Sequence, residues 1–474
     1  MKILVTGATG YIGRRLLLNL LNSGKSYKLR VLVSDKKQLS PDIAGKVEIV
    51  EGNTFNPGAL SRSLHGIHTA YYLIHSMNSR GDFEDLDRRS AELFINECIA
   101  SGVKRVIYLG GLGEKESASK HLASRQETGV ILSSHPGKIQ TLWFRAAIII
   151  GAGGASFEII RNLIEKIPLM IAPRWVSTLT QPIAVDDVIS YLSAAIKLSY
   201  RKNIVIDIGG ERMSFLMMLK SASAVLGLKR LIIPVPVFSP RLSSYWLIFF
   251  TPVPYRLASA LVAGLKSESI VKNNNAEILF PEIRPMNYED SLRTAITEEE
   301  HEIISSWSDG SSAWFSTARK AGEMEKATHN ITVKIDCDKT DTDRIWKTVT
   351  SIGGTRGWLS MNTLWKIRGY ADKISGGPGI NRGRRSPSNL RIGDSLDFWK
   401  VIDLIPGKRL LLFSQMKLPG KGWLEFRLSD KLTITARFIP SGIYGRLYWW
   451  MLYPFHKLIF RLMLRKISEP GIKK

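Results

Sequence analysis

The chain has 474 residues, of which 44% are hydrophobic and 23% charged. These are the proportions of a folded protein of two or three domains and exclude extended disorder. The formal net charge is +24, and residues 331–474 hold 27 Lys and Arg against 11 Asp and Glu. An excess this lopsided points to an anionic partner, such as a membrane surface, a nucleic acid or an acidic ligand, or to a solvated basic surface.

Lys2 to Val5 predicts a short apolar strand, Thr6 to Gly13 a glycine-rich turn, and Tyr11 onward a helix. Gly7, Gly10 and Gly13 are spaced G-x-x-G-x-x-G. The first glycine suits a tight turn, the second lets backbone approach a pyrophosphate, and the third lets the helix pack close to the strand. A helix starting there aims unpaired N–H groups and its positive dipole end at that phosphate. A dinucleotide site is expected. Tyr27 to Val33 predicts a second strand, followed by Ser34, Asp35, Lys36 and Lys37. The hydroxyl and the cations favour the 2′-phosphate of NADP, with Arg14 and Arg15 nearby, while Asp35 keeps NAD open. Further strands are expected at Val47 to Val50, Thr69 to His75, Arg105 to Leu109 and Thr141 to Ile150. Helices are expected at Phe83 to Gly102 and Lys120 to Ser133. The alternation predicts an α/β, doubly wound parallel sheet.

The segments TGATGYIG, GNTFNPGAL, AYYLIHSM, GVKRVIYLGGLG and QPIAVDDV occur in this order. They resemble the atypical, NmrA-like and epimerase-like branch of the short-chain dehydrogenase/reductase superfamily over about residues 1–320. The resemblance implies a Rossmann-type domain with NAD(P) lying along Gly7, Thr9, Gly10, Tyr11, Ile12 and Gly13. It continues past Ser34, Lys36, Asn53 and Thr54 to Leu73, Ile74 and His75. Active members of that superfamily carry a Ser after the fifth strand and a Tyr-x-x-x-Lys pair on the next helix. Here the first segment is GGLG, and the second offers only His121 and Arg125 at the matching spacing. Imidazole can do acid–base work near neutral pH. Arginine can hold a ribose but is no useful proton donor. His121 and Arg125 are therefore the candidate catalytic pair, with a surface helix residue as the alternative for His121.

Residues 151–185 and 211–318 should supply the substrate side, with Arg145, Ser156, Glu158 and Arg161 as candidate contacts. Glu158 and Arg161 could equally pair on a helix surface. Pro234 to Leu265 mixes prolines with large apolar residues and suits either a lipid-facing or ligand-facing flap or packing against the other domain. A first domain is thus expected over residues 1–318 and a linker over 319–330.

His329 to Cys337 alternates as a strand, Thr342 to Ser351 as a short helix, a run of strand-like segments follows, and Tyr444 to Ile467 is one long helix. This layout resembles the helix-grip folds of the START/Bet v 1-like ligand-binding superfamily, making an α+β domain over 331–474. LWKIRGYADKISGGPGINRGRR, GDSLDFWKV, MKLPGKGWLEF and FIPSGIYGRLYWWMLYPFH look closer still to a bacterial domain of unknown function found behind such reductase domains. Seven of the twelve tryptophans fall here. Trp365 and Trp399, with Arg368, are the candidate ligand contacts in the cavity that the resemblance implies, and Arg382, Arg384 and Arg385 could grip a phosphate or carboxylate. The last helix joins aromatic and basic residues and suits either a membrane interface or a plain grip helix.

Cys98 and Cys337 are too few and too far apart for a disulfide framework or a metal cluster, and they fit a reducing, cytoplasmic compartment. No metal site is expected. No run of about 18 apolar residues predicts a transmembrane span, and no signal peptide is expected because the first residues already read as a strand. Four functions fit. The first is an NAD(P)-dependent reductase or epimerase-like enzyme acting on a hydrophobic or anionic small molecule. The second is an NAD(P)H-binding sensor without turnover. The third is a lipid-handling protein peripheral to an anionic inner membrane. A nucleic-acid role ranks last, since no recognition motif for it occurs.

Overall fold

Short runs of branched and apolar residues, each closed by a polar or glycine turn, build the sheet of the first half of the chain. The computed structural model describes residues 1–24, 26–39, 41–75, 83–113, 119–235, 253, 255–264, 267–301, 305, 321–337, 341–374 and 390–469. The chain divides into two units, Met1–Trp314 and Phe315–Lys474. Most of the apolar segment after Pro234 and the loop carrying Arg382, Arg384 and Arg385 lie outside the described residues.

In the first unit, β1 (Lys2–Thr6), β2 (Lys28–Val33), β3 (Glu48–Glu51), β4 (Thr69–Tyr72), β5 (Arg105–Gly111) and β6 (Gln140–Ala146) form one sheet with the strand Ile204–Ile208. All pairs are parallel, in the order β3-β2-β1-β4-β5-β6 and then Ile204–Ile208. This is a Rossmann-type doubly wound sheet, whose order reverses between β1 and β4. Ligands of such sheets lie outside the strands' carboxyl ends at that reversal.

Two expected strands are shorter than their sequence suggests. β4 stops at Tyr72 because the Thr6 hydroxyl intervenes: it donates to the Tyr71 carbonyl at 2.8 Å and accepts from the Leu73 amide at 3.3 Å. β6 stops at Ala146, which pairs with Gly111, the last residue of β5. Ile149–Ile150 then pairs instead with Ile183–Ala184.

The second unit is α+β, with an antiparallel sheet of six strands. His329–Asp336 lies at one edge, followed by Lys431–Pro440, Gly420–Leu428, Arg409–Ser414, Trp399–Ile405 and Ser395–Leu396. The 27-residue helix Gly442–Ser468 packs on the strands His329–Asp336 and Lys431–Pro440. A helix that the sequence reading leaves unassigned spans Asn362–Ile374.

Candidate active site

The three glycines of the first turn are held to their positions by different constraints. Gly7 has φ +68°, and a Cβ there would stand 2.4 Å from the Leu73 carbonyl oxygen at the end of β4. At Gly13 a Cβ would fall 2.1 Å from the Gly7 carbonyl oxygen, so the helix Tyr11–Asn22 can approach β1 only through glycine. A Cβ at Gly10 would meet only the Gly7 carbonyl oxygen, at 3.2 Å. Gly10 begins the helix with no side-chain cap and no acidic residue in its first turn. The helix therefore presents uncapped N–H groups, which fits a bound pyrophosphate. Thr9, Tyr11 and Ile12 are half-buried around the turn. The Tyr11 hydroxyl is buried beside Gly151 and Gly154 with no partner among the described residues, and burial raises its pKa.

At the end of β2, Asp35 is buried and caps the short turn Lys36–Gln38 by accepting from the Lys37 amide at 3.0 Å. Ser34, Lys36 and Lys37 are exposed there. The two arginines after the glycine turn point inward. Arg14 donates to the Gln38 carbonyl, and Arg15 to Glu298, Ser305 and the Ala152 carbonyl. Asn53 accepts from the Phe55 amide and shapes its own turn, while the Thr54 hydroxyl is buried against Ser90 at 2.7 Å.

Leu73, Ile74 and His75 follow β4 and are half-buried. His75 meets His121, which the helix Lys120–Leu132 brings across from the far side of β5. The rings lie within 15° of parallel, with centroids 4.6 Å apart and Nε2 atoms 3.3 Å apart. Nδ1 of His75 is 3.3 Å from Oδ2 of Asp87, which also accepts from Ser124 at 3.1 Å. Burial lowers the pKa of both rings. That of His121 is pushed down to about 2 by desolvation first, then by His75 and Arg125. Nδ1 of His121 is buried and has no partner among the described residues. Arg125 lies one helical turn on and donates to the Leu109 carbonyl at 2.8 Å. Asp87 and Ser124 were not singled out from the sequence. The only trace of Ser124 is its position three residues after His121 on one helix, and nothing local marks Asp87.

The expected substrate contacts separate. Arg145 on β6 is bound by both oxygens of the fully buried Asp207, at 2.6 and 3.0 Å, on the neighbouring strand. Arg161 pairs with Glu158 and Glu299; burial, with Glu158 adjacent, pushes the Glu299 carboxyl up to about 8. Ser156 lines a cavity of about 60 Å³ walled by Ile159, Leu163, Met170, Trp175, Phe215 and Leu219. The Trp175 indole N–H is buried with no partner among the described residues. The helix Tyr255–Gly264 closes this cavity with Leu261 and Val262 and also touches the helix that carries His121.

Residues 7–135 match a family model described as NAD(P)H-binding. The solved structure of Citrobacter sp. triphenylmethane reductase is similar, with a TM-score of 0.52 and 18% identity over 63% of this chain and 100% of that one. The same reductase complexed with NADP(H) gives 0.51, at 17% identity over 62% and 99%. The Bordetella bronchiseptica enzyme WbmG in complex with NAD gives 0.50, at 13% identity over 65% and 96%. The first unit thus has a Rossmann-type fold shared with these structures, and the NAD(P)H-binding family match lies within it. Residues 328–463 match a family described as a protein of unknown function, DUF2867. No curated protein matches the chain.

Within the first unit, packing explains the missing serine after the fifth strand. A Cβ at Gly111 would lie 2.6 Å from Leu122, and one at Gly110 would lie 2.5 Å from the Trp143 indole nitrogen. Leu122 on the helix carrying His121 leaves no room for a side chain at Gly111, and Trp143 on β6 leaves none at Gly110. In the second unit, Trp365 and Trp399 pack with Trp358 and Phe398 in the core. Arg368 donates to the Tyr448 hydroxyl at 2.7 Å and contacts Nε2 of the buried His456 at 3.0 Å. These three expected ligand contacts are thus engaged in packing between elements of the second unit.

Proposed function

We propose that the first unit is an NADP-preferring oxidoreductase that acts on a hydrophobic small molecule, with His121 as its proton-transfer group. The observation that carries this reading is the contact chain Asp87–His75–His121 at the carboxyl end of β4. Asp87 accepts the hydrogen on Nδ1 of His75, which leaves Nε2 of His75 as a lone pair. His121 then carries its hydrogen on Nε2 and keeps Nδ1 as a free base. In the oxidising direction Nδ1 of His121 takes the hydroxyl proton of the substrate; in the reducing direction it returns one. NAD(P), when bound, would supply the hydride-transfer chemistry. Arg125 and the uncapped turn at Gly10 would hold the nucleotide, and Ser34, Lys36 and Lys37 would receive its 2′-phosphate. The buried Asp35, already engaged as a cap, supports NADP over NAD. The apolar cavity beside Trp175 supports a hydrophobic substrate, and so does the commitment of Arg145 and Arg161 to carboxylates of the chain itself.

The test is NADPH oxidation and NADP⁺ reduction over a panel of hydrophobic ketones, quinones and alcohols, with His121→Ala compared to the wild type. We expect turnover to fall by about 10²–10⁴ while NADPH affinity is kept. Turnover that survives His121→Ala would refute the assignment. Tight NADPH binding with no turnover over the whole panel would favour a sensor instead, a reading supported by the near-complete burial of the His121 Nδ1 atom.

For the second unit we take the helix-grip reading. Its support is the six-stranded antiparallel sheet crossed by one long closing helix. The aromatic packing of Trp358, Trp365, Phe398 and Trp399 fills the interior that this reading would assign to a ligand.

A further inference from the structure

The closing helix Gly442–Ser468 is apolar on two opposite sides. One side, with Trp449, Ile459, Phe460 and Met463, is buried in the core of the second unit. The other carries Tyr444, Leu447, Trp450, Met451, Phe455 and Leu458 and is uncovered, with Tyr444 81%, Trp450 63% and Phe455 54% exposed. At 3.6 residues per turn these outer residues fall within an arc of roughly 140° and run along about 20 Å of helix. A helix that is apolar all round is normally buried all round, so this face needs a partner.

Its charge says which kind. The helix contains no acidic residue and five basic ones: Arg446, Lys457, Arg461, Arg465 and Lys466, all exposed. Arg446 and Lys457 border the apolar stripe along one edge, while Arg461 and Arg465 continue it toward the carboxyl end. The helix Asn362–Ile374 lies alongside, tied by Arg368 to both Tyr448 and His456, and exposes Leu364 and Ile367 beside Lys366. Its one carboxylate, Asp372, is buried and accepts from the Lys417 amide. A second copy of the chain seated on this face would bring like charges together. An anionic bilayer would instead receive the Trp and Tyr rings at its headgroup level and the cations at its lipid phosphates.

We infer that the two helices form a monotopic docking surface for anionic membranes. No helix among the described residues is long and apolar enough to cross a bilayer, so the protein would lie on the surface and not span it. This goes beyond the oxidoreductase reading and does not depend on it.

The test is co-sedimentation of the full chain with vesicles of phosphatidylcholine alone and of equimolar phosphatidylcholine and phosphatidylglycerol. Binding only to the anionic vesicles, weakened at high salt, is the expected result. Arg461→Glu with Arg465→Glu should lower the partition coefficient by roughly thirtyfold or more. Leu447→Ser with Trp450→Ser should lower it as well, while unchanged NADPH binding and an unchanged unfolding curve show that the variants fold. No binding to anionic vesicles at low salt would overturn the proposal. So would binding that ignores both double variants, or a concentration-dependent dimer that Leu447→Ser dissolves, which would give this face to a second copy.

Discussion

Nε2 of His75 stands 3.3 Å from Nε2 of His121, with one ring at the end of β4 and the other on the helix Lys120–Leu132. Two imidazoles this close cannot both be charged at modest cost, and burial already favours the neutral forms. With its pKa pushed down to about 2, His121 is a free base throughout the neutral and mildly acidic range. Oxidation of an alcohol should therefore be flat in rate across that range. Reduction needs the protonated ring and should accelerate about tenfold per unit as pH falls. A pH–rate profile in both directions checks this, and a break near pH 6.5 in the oxidising direction would refute it.

In the proposed mechanism Asp87 acts through His75 as a positioning residue. Asp87→Asn can offer a donor where the carboxylate accepted, so it should favour the other tautomer of His75 and leave His121 with its hydrogen on Nδ1. Oxidation should fall by about 10²–10⁴ with NADPH affinity unchanged. If the role were only structural, the variant would lose thermal stability and cofactor affinity together without changing the shape of the pH profile.

Cofactor choice should depend on exposed cations at the end of β2, because Asp35 is occupied. Lys36→Ala with Lys37→Ala should raise the NADPH dissociation constant about tenfold, as expected for losing two solvent-exposed charge contacts. NADH affinity should stay the same. Titration of both nucleotides by fluorescence measures the ratio; an equal loss for both would move the 2′-phosphate contact elsewhere.

Arg145→Met separates a structural arginine from a substrate contact. Asp207 is fully buried and would be left without its guanidinium, although it keeps the Lys272 amide at 3.1 Å. Breaking a buried pair on one side costs about 3–5 kcal/mol, so the melting temperature of the first unit should drop by several degrees. Arg145→Met with Asp207→Asn should recover part of it. A variant that keeps its stability but loses substrate affinity would return Arg145 to the substrate site.

The glycine turn was legible because Gly7, Gly10 and Gly13 act within a few residues of one another, and local spacing carries that information. The succession of strands along the chain was legible for the same reason, as each strand is a contiguous run. The Asp87–His75–His121 contact was not, because it joins three elements through tertiary packing that no spacing rule encodes. Arg145 looked like a free cation because its partner Asp207 is far away in sequence, whereas for Arg161 the helix pairing with Glu158 was legible and the distant Glu299 was not. The helix Asn362–Ile374 escaped because Leu364 and Ile367 are apolar on its outer face while Trp365 is apolar on its inner face, which erases the amphipathic period.

His456 makes acid stability of the second unit a measurable property. Burial, then the charge of Arg368, pushes its pKa down to about 3, whereas an unfolded chain takes up that proton near 6.5. The folded form thus binds fewer protons between these two values. Stability is fully present above about pH 6.5 and declines as pH falls toward 3, at up to about 1.4 kcal/mol per unit from this one group. His456→Gln keeps an acceptor for Arg368 but cannot titrate. Carboxylates contribute equally to both proteins, so the difference between the wild-type and variant slopes, from urea unfolding at a series of pH values, belongs to His456. The variant should show the shallower decline, and identical slopes would mean that His456 is already protonated in the folded protein.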